Sequence, residues 1–342
     1  MATFYTNPIE YLKRQMHTSL TDRLNISIPI VQAPMGGAAG PELAAAVSNA
    51  GGLGSLPVWT ADLETTRSLI RETRSLTGQP FAVNLNMEFP QEDRLAVCLE
   101  EGAPVVSFFW QDSSKLVERT KAAGATVMHT VATSDEAKRA ADSGVDILVA
   151  QGWEAGGHVR GNVATMALVP AIVDLAGDLP VVAAGGISDG RGIAAALCLG
   201  AGGAWIGTRF LAADEANIHP EYRARLIVAD ESDTTYVHDL FDVGWRNAPH
   251  RVLTNSTVHD WLAADRPESG QRPGERQVIG KVPGRDILRY MSHTPDSTTT
   301  GDVEAMSMWA GQGVGLVRSV QPAAEIVSEL WSDARQIIER RI

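Results

Sequence analysis

PVVAAGGISDGRGIAAALCLGAGGAWIGTRF, residues 180–210, holds one whole repeat of the fold. It opens on an apolar run, Pro180–Ala184, followed by the glycine pair Gly185-Gly186. A helical pattern comes next, with Ser188 or Asp189 as its cap. The chain then returns to a second run, Gly203–Ile206, and leaves it through Gly207-Thr208-Arg209. Both runs are apolar on both faces, as strands of a parallel sheet covered by helices must be. Strand, helix and strand in about thirty residues make one βαβ unit.

Upstream the same alternation recurs. Apolar or β-branched runs read IPIVQAPM (28–35), GGLGSLP (51–57), PFAVNLN (80–86), PVVSFFW (104–110), TVMHTVA (126–132) and DILVAQG (146–152). Helical patterns separate them. PELAAAVSNA opens with a proline, which suits a first helical turn. TSDEAKRAADSG places Thr133 and Glu136 in capping-box spacing and ends at Gly144. Eight strands alternating with helices predict an α/β protein, a (β/α)8 TIM barrel, with a doubly wound open sheet as the alternative. From 211 to 310 the rhythm breaks into polar stretches such as DRPESGQRPGER and HTPDSTTTGD. We read residues 1–210 as the barrel and 211–310 as a mostly helical insertion after the eighth strand. Residues 311–342 return to the barrel and end in a closing helix, and 264–302 is a candidate flap.

Composition narrows the class. Of 342 residues, 44% are hydrophobic and 32 are glycine, which fits an α/β protein with many tight junctions. Net charge is −12 and there is no Lys/Arg cluster, which argues against nucleic acid as a partner. Cys98 and Cys198 lie far apart in Ala/Leu-rich stretches and match no metal-ligand spacing. They read as reduced core thiols of a cytoplasmic protein. The N-terminus lacks the apolar core of a signal peptide, and no stretch predicts a membrane span. Eight tryptophans are available for a pocket or for an interface in a homo-oligomer.

In a barrel the chemistry collects at the C-terminal ends of the strands. Those ends carry Met35-Gly36-Gly37, Asn84-Leu85-Asn86, His129, and Gln151 with the loop QGWEAGGHVRG (151–161). They also carry Gly185-Gly186 and Gly207-Thr208. Glycines on adjacent late strands let backbone N–H groups approach a phosphate, and a helix N-terminus favours its charge. There is no GxGxxG after a strand and no GxxxxGK[ST], so a phosphorylated sugar or a flavin mononucleotide fits better than a dinucleotide or an NTP. Asn84 and Gln151 offer amides to a flat heterocycle, or else cap local backbone. His158 stands behind a glycine pair, with Glu154 or Trp153 as its candidate anchor.

PIVQAPMGG, ELAAAVSNAGGLGSL, FAVNLN, AQGWEAGGHVRG, VVAAGGISDGRG and GAWIGTRFL, in this order, resemble the nitronate monooxygenase family, formerly 2-nitropropane dioxygenases. The resemblance covers roughly residues 25 to 225 and returns weakly at GQGVGL (311–316). It implies a TIM barrel with an added helical domain and non-covalent FMN. By position it implies that Met35, Asn84, Gln151 and Gly156 lie at the flavin ring. Gly185, Gly186, Gly207 and Thr208 would hold the phosphate, and His158 would be the catalytic histidine. Gln312 would close the site from the C-terminal side. The implied reaction is oxidative denitrification of alkyl nitronates, or of nitroalkanes, by dioxygen to a carbonyl compound and nitrite. Two alternatives stand beside it: an NAD(P)H-dependent FMN reductase of quinones or enoyl thioesters, and a flavin-binding protein without turnover. Tyr290 is the one candidate for a substrate-side tyrosine.

Overall fold

The computed structural model describes residues 17–341. A short helix, α1 (Ser19–Leu24), is followed by β1 (Ile30–Gln32), β2 (Gly54–Pro57), β3 (Phe81–Asn86), β4 (Val105–Phe109), β5 (Thr126–Val131) and β6 (Ile147–Gln151). A two-residue strand, β7 (Gly157–His158), lies in the loop after β6, and β8 (Val181–Ala184) and β9 (Gly203–Ile206) complete the series. Apart from β7, these strands pair side by side in parallel in the order β1-β9-β8-β6-β5-β4-β3-β2. A parallel bridge from Val31 to Leu53 joins the two ends. Gln32 N–H donates to the Leu53 carbonyl at 2.9 Å, and Leu53 N–H to the Ile30 carbonyl at 2.9 Å. The predicted barrel is therefore the fold.

Helices α2 (Pro41–Asn49), α3 (Leu63–Leu76), α4 (Glu92–Glu100), α5 (Ser114–Ala122), α6 (Ser134–Asp142), α7 (Thr165–Ala176) and α8 (Gly190–Cys198) connect the strands. Asp189, not Ser188, caps α8, accepting from the N–H groups of Arg191 and Gly192. Thr133 caps α6 as expected, but Glu136 turns its carboxylate to Ala132 N–H. A one-turn helix, α9 (Thr208–Leu211), leaves β9. The main core lies between sheet and helices. A second cluster fills the barrel interior, where Leu20 and Leu24 of α1 pack with Val31, Ala82, Met128 and Val182. Cys98 sits in the main core, its thiol pushed up to about 12 by burial, whereas Cys198 is exposed rather than a core thiol.

The insertion departs from expectation. It contains α10 (Pro220–Val228) and α11 (Ser256–Ala263), but also β10 (Thr234–Val237), β11 (His250–Leu253), β12 (Val278–Val282), β13 (Arg285–Leu288) and β14 (Thr300–Gly301). It is mixed rather than mostly helical, because these strands find partners in two small antiparallel sheets, β10-β11-β7 and β13-β12-β14. Each strand is five residues or fewer and lies among turn residues, so its period-2 signal is weak. The 264–302 run is packed onto the rest. Arg272 has no exposed side-chain surface and bonds Asp242 at 2.7 Å. Tyr290 is fully buried, donates its hydroxyl to the Pro273 carbonyl at 2.7 Å and stacks under Arg272. It serves this core and does not face the barrel mouth. The final helix, α12 (Ala323–Arg341), packs along α8 and α2.

Candidate active site

Because the barrel interior is packed, free space collects at the C-terminal ends of the strands, as a cavity of about 460 Å³. That lies within the roughly 300–1,000 Å³ of small-molecule sites. Met35, Asn84, Gln151, Gly156, His158, Gly185, Gly186, Gly207 and Thr208 all line it. These nine residues, the proposed catalytic histidine and the proposed flavin-side residues, thus lie around one cavity. The Gln312 side chain lies outside this cavity, while its neighbours Gly311 and Gly313 line it.

One side of the cavity is made of backbone. Gly185 and Gly186 have φ of 112° and 70°, a region open to glycine and costly for a residue with a Cβ. Their turn ends at α8, so its amides point the way a helix N-terminus does. The Thr208 hydroxyl accepts from Gly311 N–H at 3.0 Å, which leaves its own proton to donate. The Met35 carbonyl already accepts from Ala38 and Ala39. Asn84 is buried and donates to the Ser107 carbonyl and hydroxyl, so its amide oxygen is the group left for a ligand. Gln151 donates to the His158 carbonyl at 3.2 Å and steadies that loop. Gly156 is required by a contact within the protein. A Cβ there would strike Gly311 N and lie 2.5 Å from the Ala310 carbonyl carbon, so it is the 310–311 segment, pressed against the loop, that requires glycine.

The opposite side is aromatic. His158 stacks on Trp245 with ring centroids 3.8 Å apart, and Trp309 and Trp110 lie 5.2 and 6.1 Å away. Trp59 and Phe109 also line this side. His158 keeps some surface toward the cavity, yet protein encloses it on every side, and this desolvation holds its pKa well below 6.5. The imidazole is therefore neutral near pH 7. Neither anchor considered from sequence holds it. Glu154 caps α7 through Thr165 N–H and Oγ1, at 2.9 Å each. Trp153 packs under Arg251, whose guanidinium is 4.8 Å from its ring. The insertion does the holding: β11 pairs antiparallel with β7, placing His250 opposite His158. His250 is itself satisfied, bonding the Ala248 carbonyl at 2.8 Å and accepting from Phe241 N–H at 3.2 Å. Burial brings it to about 4. His129 lies apart from the cavity, bonded to Ser113 at 2.9 Å and lowered to about 4 by burial.

Sequence reasoning gave no roles to Asn86, Thr294 or His250. Asn86 was visible two residues beyond Asn84, on the same face of a strand. Thr294 gave no local signal. It donates to the Gly36 carbonyl at 2.6 Å and accepts from Trp309 Nε1 at 3.0 Å, tying the insertion to the loop after β1. Among the described residues, no helix is long and apolar enough to cross a membrane, and no His/Cys/Asp/Glu group could hold a metal.

A barrel with a glycine-rich cradle on one side of its mouth and a desolvated histidine on the other has the architecture of an enzyme acting on a small molecule. The profile of nitronate monooxygenase matches residues 17–93 and 86–333, and the chain belongs to that family. It is 36% identical to a nitronate monooxygenase of Paraburkholderia phytofirmans, over 94% of this chain and 96% of that protein. It is 32% identical to a 5-hydroxy-7a-methyl-1-oxo-octahydro-1H-indene-4-carboxyl-CoA dehydrogenase of Mycobacterium tuberculosis, over 94% and 96%. Among solved structures it superimposes on FabK from Thermotoga maritima with a TM-score of 0.82 and 32% identity, covering 95% of this chain and 98% of that one.

Proposed function

We propose that this protein oxidises alkyl nitronates, using bound FMN and dioxygen, to a carbonyl compound and nitrite. Two nitronates and one dioxygen give two carbonyl compounds and two nitrites, so each nitronate gains one oxygen atom and releases its nitrogen as nitrite. The residues present fit the cofactor: Gly185, Gly186, Gly207 and Thr208 would hold the phosphate, and Met35, Asn84, Gln151 and Gly156 the ring. Bound there, the flavin would accept electrons from the substrate and pass them to dioxygen. The observation that carries the reading is His158, neutral and enclosed at the aromatic side of the same cavity. A neutral imidazole has a free ring nitrogen to take the proton from a nitroalkane carbon, and the nitronate anion that results favours the charged imidazolium by Coulomb attraction. The tryptophans exclude water and strengthen that interaction.

A second reading is an oxidoreductase of acyl thioesters, which similarity to the mycobacterial carboxyl-CoA dehydrogenase supports. An anaerobic absorbance spectrum separates the two. We expect flavin bands that persist with NADH and NADPH, bleach with propane-2-nitronate and return in air with release of nitrite. No flavin bands after supplementation with FMN would remove the cofactor assignment. Bleaching by a nicotinamide with no response to nitronate would move the reading to the thioester enzymes.

A further inference from the structure

Among the described residues, seven buried side-chain polar atoms have no hydrogen-bond partner. Three of them belong to residues that line this cavity, Asn86 Nδ2, Trp245 Nε1 and His158 Nε2, each atom covered by neighbouring protein. Leaving one buried polar group unmet costs about 1–3 kcal/mol, so three in the wall of one cavity point to a ligand that meets them once that wall opens.

The Asn86 assignment is fixed by its surroundings. Its other amide atom accepts from Glu88 N–H at 3.1 Å, and of the two atoms of a side-chain amide only the oxygen can accept. The unpartnered atom is therefore the NH2 group, a donor. Asn86 is 1% exposed, its own carbonyl takes Gln91 Nε2 at 2.9 Å, and it pairs with Phe109 across β3 and β4. It cannot swing away to water. Trp245 is 5% exposed, lies on the His158 ring, and its indole N–H can only donate. Phe89 links the two places. Its N–H donates to the Asn86 carbonyl at 3.3 Å, and its ring lies 5.9 Å from that of Trp245.

We propose that Asn86 and Trp245 bind substrate oxygens, one donor to each oxygen of a planar nitronate, beside His158. The inference rests on the nitronate reading and deepens it. Two donors suit a planar group with two oxygens, whereas a thioester offers a single carbonyl oxygen. No carboxylate lies on this side of the cavity to oppose the anion; its one acidic lining residue, Asp296, is held by Thr298 and Thr299 near the rim. Because these atoms are covered, binding requires the short loop that carries Trp245, flanked by Gly244 and Asn247 at positive φ, to part the indole from His158.

The test uses the FMN-loaded protein and its Trp245→Phe, Asn86→Ala and Asn86→Asp variants. Trp245→Phe keeps an aromatic ring and removes only the donor. Asn86→Asp keeps the acceptor for Glu88 N–H and turns the donor into a negative oxygen. Binding of isobutyrate, an unreactive carboxylate shaped like propane-2-nitronate, is measured by calorimetry, beside KM and kcat for the nitronate. We expect each of Trp245→Phe and Asn86→Ala to weaken isobutyrate and raise KM roughly tenfold, with kcat changing less, and Asn86→Asp to weaken both further. Flavin content and spectrum should stay as in the parent. Parental isobutyrate affinity and KM in Trp245→Phe and Asn86→Asp would overturn the proposal. Should the parent bind isobutyrate but turn over no nitronate, the nitronate reading fails, while loss of isobutyrate binding in the variants would still establish the two donors.

Discussion

Lowering the pH from 7 to 5 should destabilise this protein by a calculable amount. His129 and His250 are both buried, and burial holds each near a pKa of about 4 against an unfolded value of 6.5. A folded pKa below the unfolded one means that the unfolded chain binds more protons between pH 6.5 and 4. Stability is therefore full above 6.5 and falls as the pH drops through that window. Between pH 7 and 5 each histidine should contribute a loss of about 2 kcal/mol, or roughly 4 for the pair. His158 acts in the same direction. Against a typical total of about 5–15 kcal/mol this is a large share. Glu275, lowered to about 2 chiefly by its hydrogen bonds with Arg272, contributes only in stronger acid. Relief of the net negative charge opposes the effect, so the clean comparison is with His129→Gln, which leaves an amide for Ser113. Urea unfolding at pH 7 and 5 should show a loss about 2 kcal/mol smaller in that variant than in the parent. Equal losses would refute the assignment of a buried neutral His129.

Other consequences are as direct. Gly156→Ala should cost about 1–3 kcal/mol in urea unfolding and also weaken FMN, because moving Gly311 disturbs its bond to Thr208; an unchanged midpoint would show that the 310–311 contact yields freely. Gly186→Ala places a Cβ at φ 70°, costing about 1–2 kcal/mol, and should raise the FMN dissociation constant about tenfold in equilibrium dialysis. His158→Asn should retain FMN yet lose about a hundredfold or more on neutral nitroalkanes, and much less on preformed nitronates; equal activity of variant and parent on nitroalkanes removes the proton-transfer role. A thiol reagent should label one cysteine, Cys198, in the native protein, and label Cys98 only on unfolding.

The barrel was legible because it is local and repetitive. Residues 180–210 contain a strand, a capped helix and the next strand, and neighbours in sequence become neighbours in the sheet, as β8 and β9 do. The cavity was legible for a related reason: a strand's C-terminal end is a sequence position, so Gly185, Thr208 and Asn84 could be placed without knowing their contacts. What could not be read was pairing at long range. His250 lies opposite His158 through a strand of four residues some ninety positions away, and nothing in HRVL announces its partner. Gly156 was legible as a special position but its cause was not, because the atoms it avoids belong to residues 310 and 311.

This division has a functional side. The barrel strands and their loops supply the groups proposed to hold the flavin. The insertion supplies Trp245, His250 and the β11 edge that fix His158, and Thr294 ties this assembly to the loop after β1 through Gly36. The histidine comes from a barrel loop, but its neutral state and its ring position are set by residues of the insertion. Relatives that share the glycine cradle and differ in the insertion can therefore keep the flavin while the environment of the reacting carbon changes. The chain resembles both a nitronate monooxygenase and a carboxyl-CoA dehydrogenase. On the proposed reading, substrate choice is set in residues 242–250 and 292–309, where the cavity-lining Trp245 and Trp309 stand, rather than in the ordered motifs of the barrel.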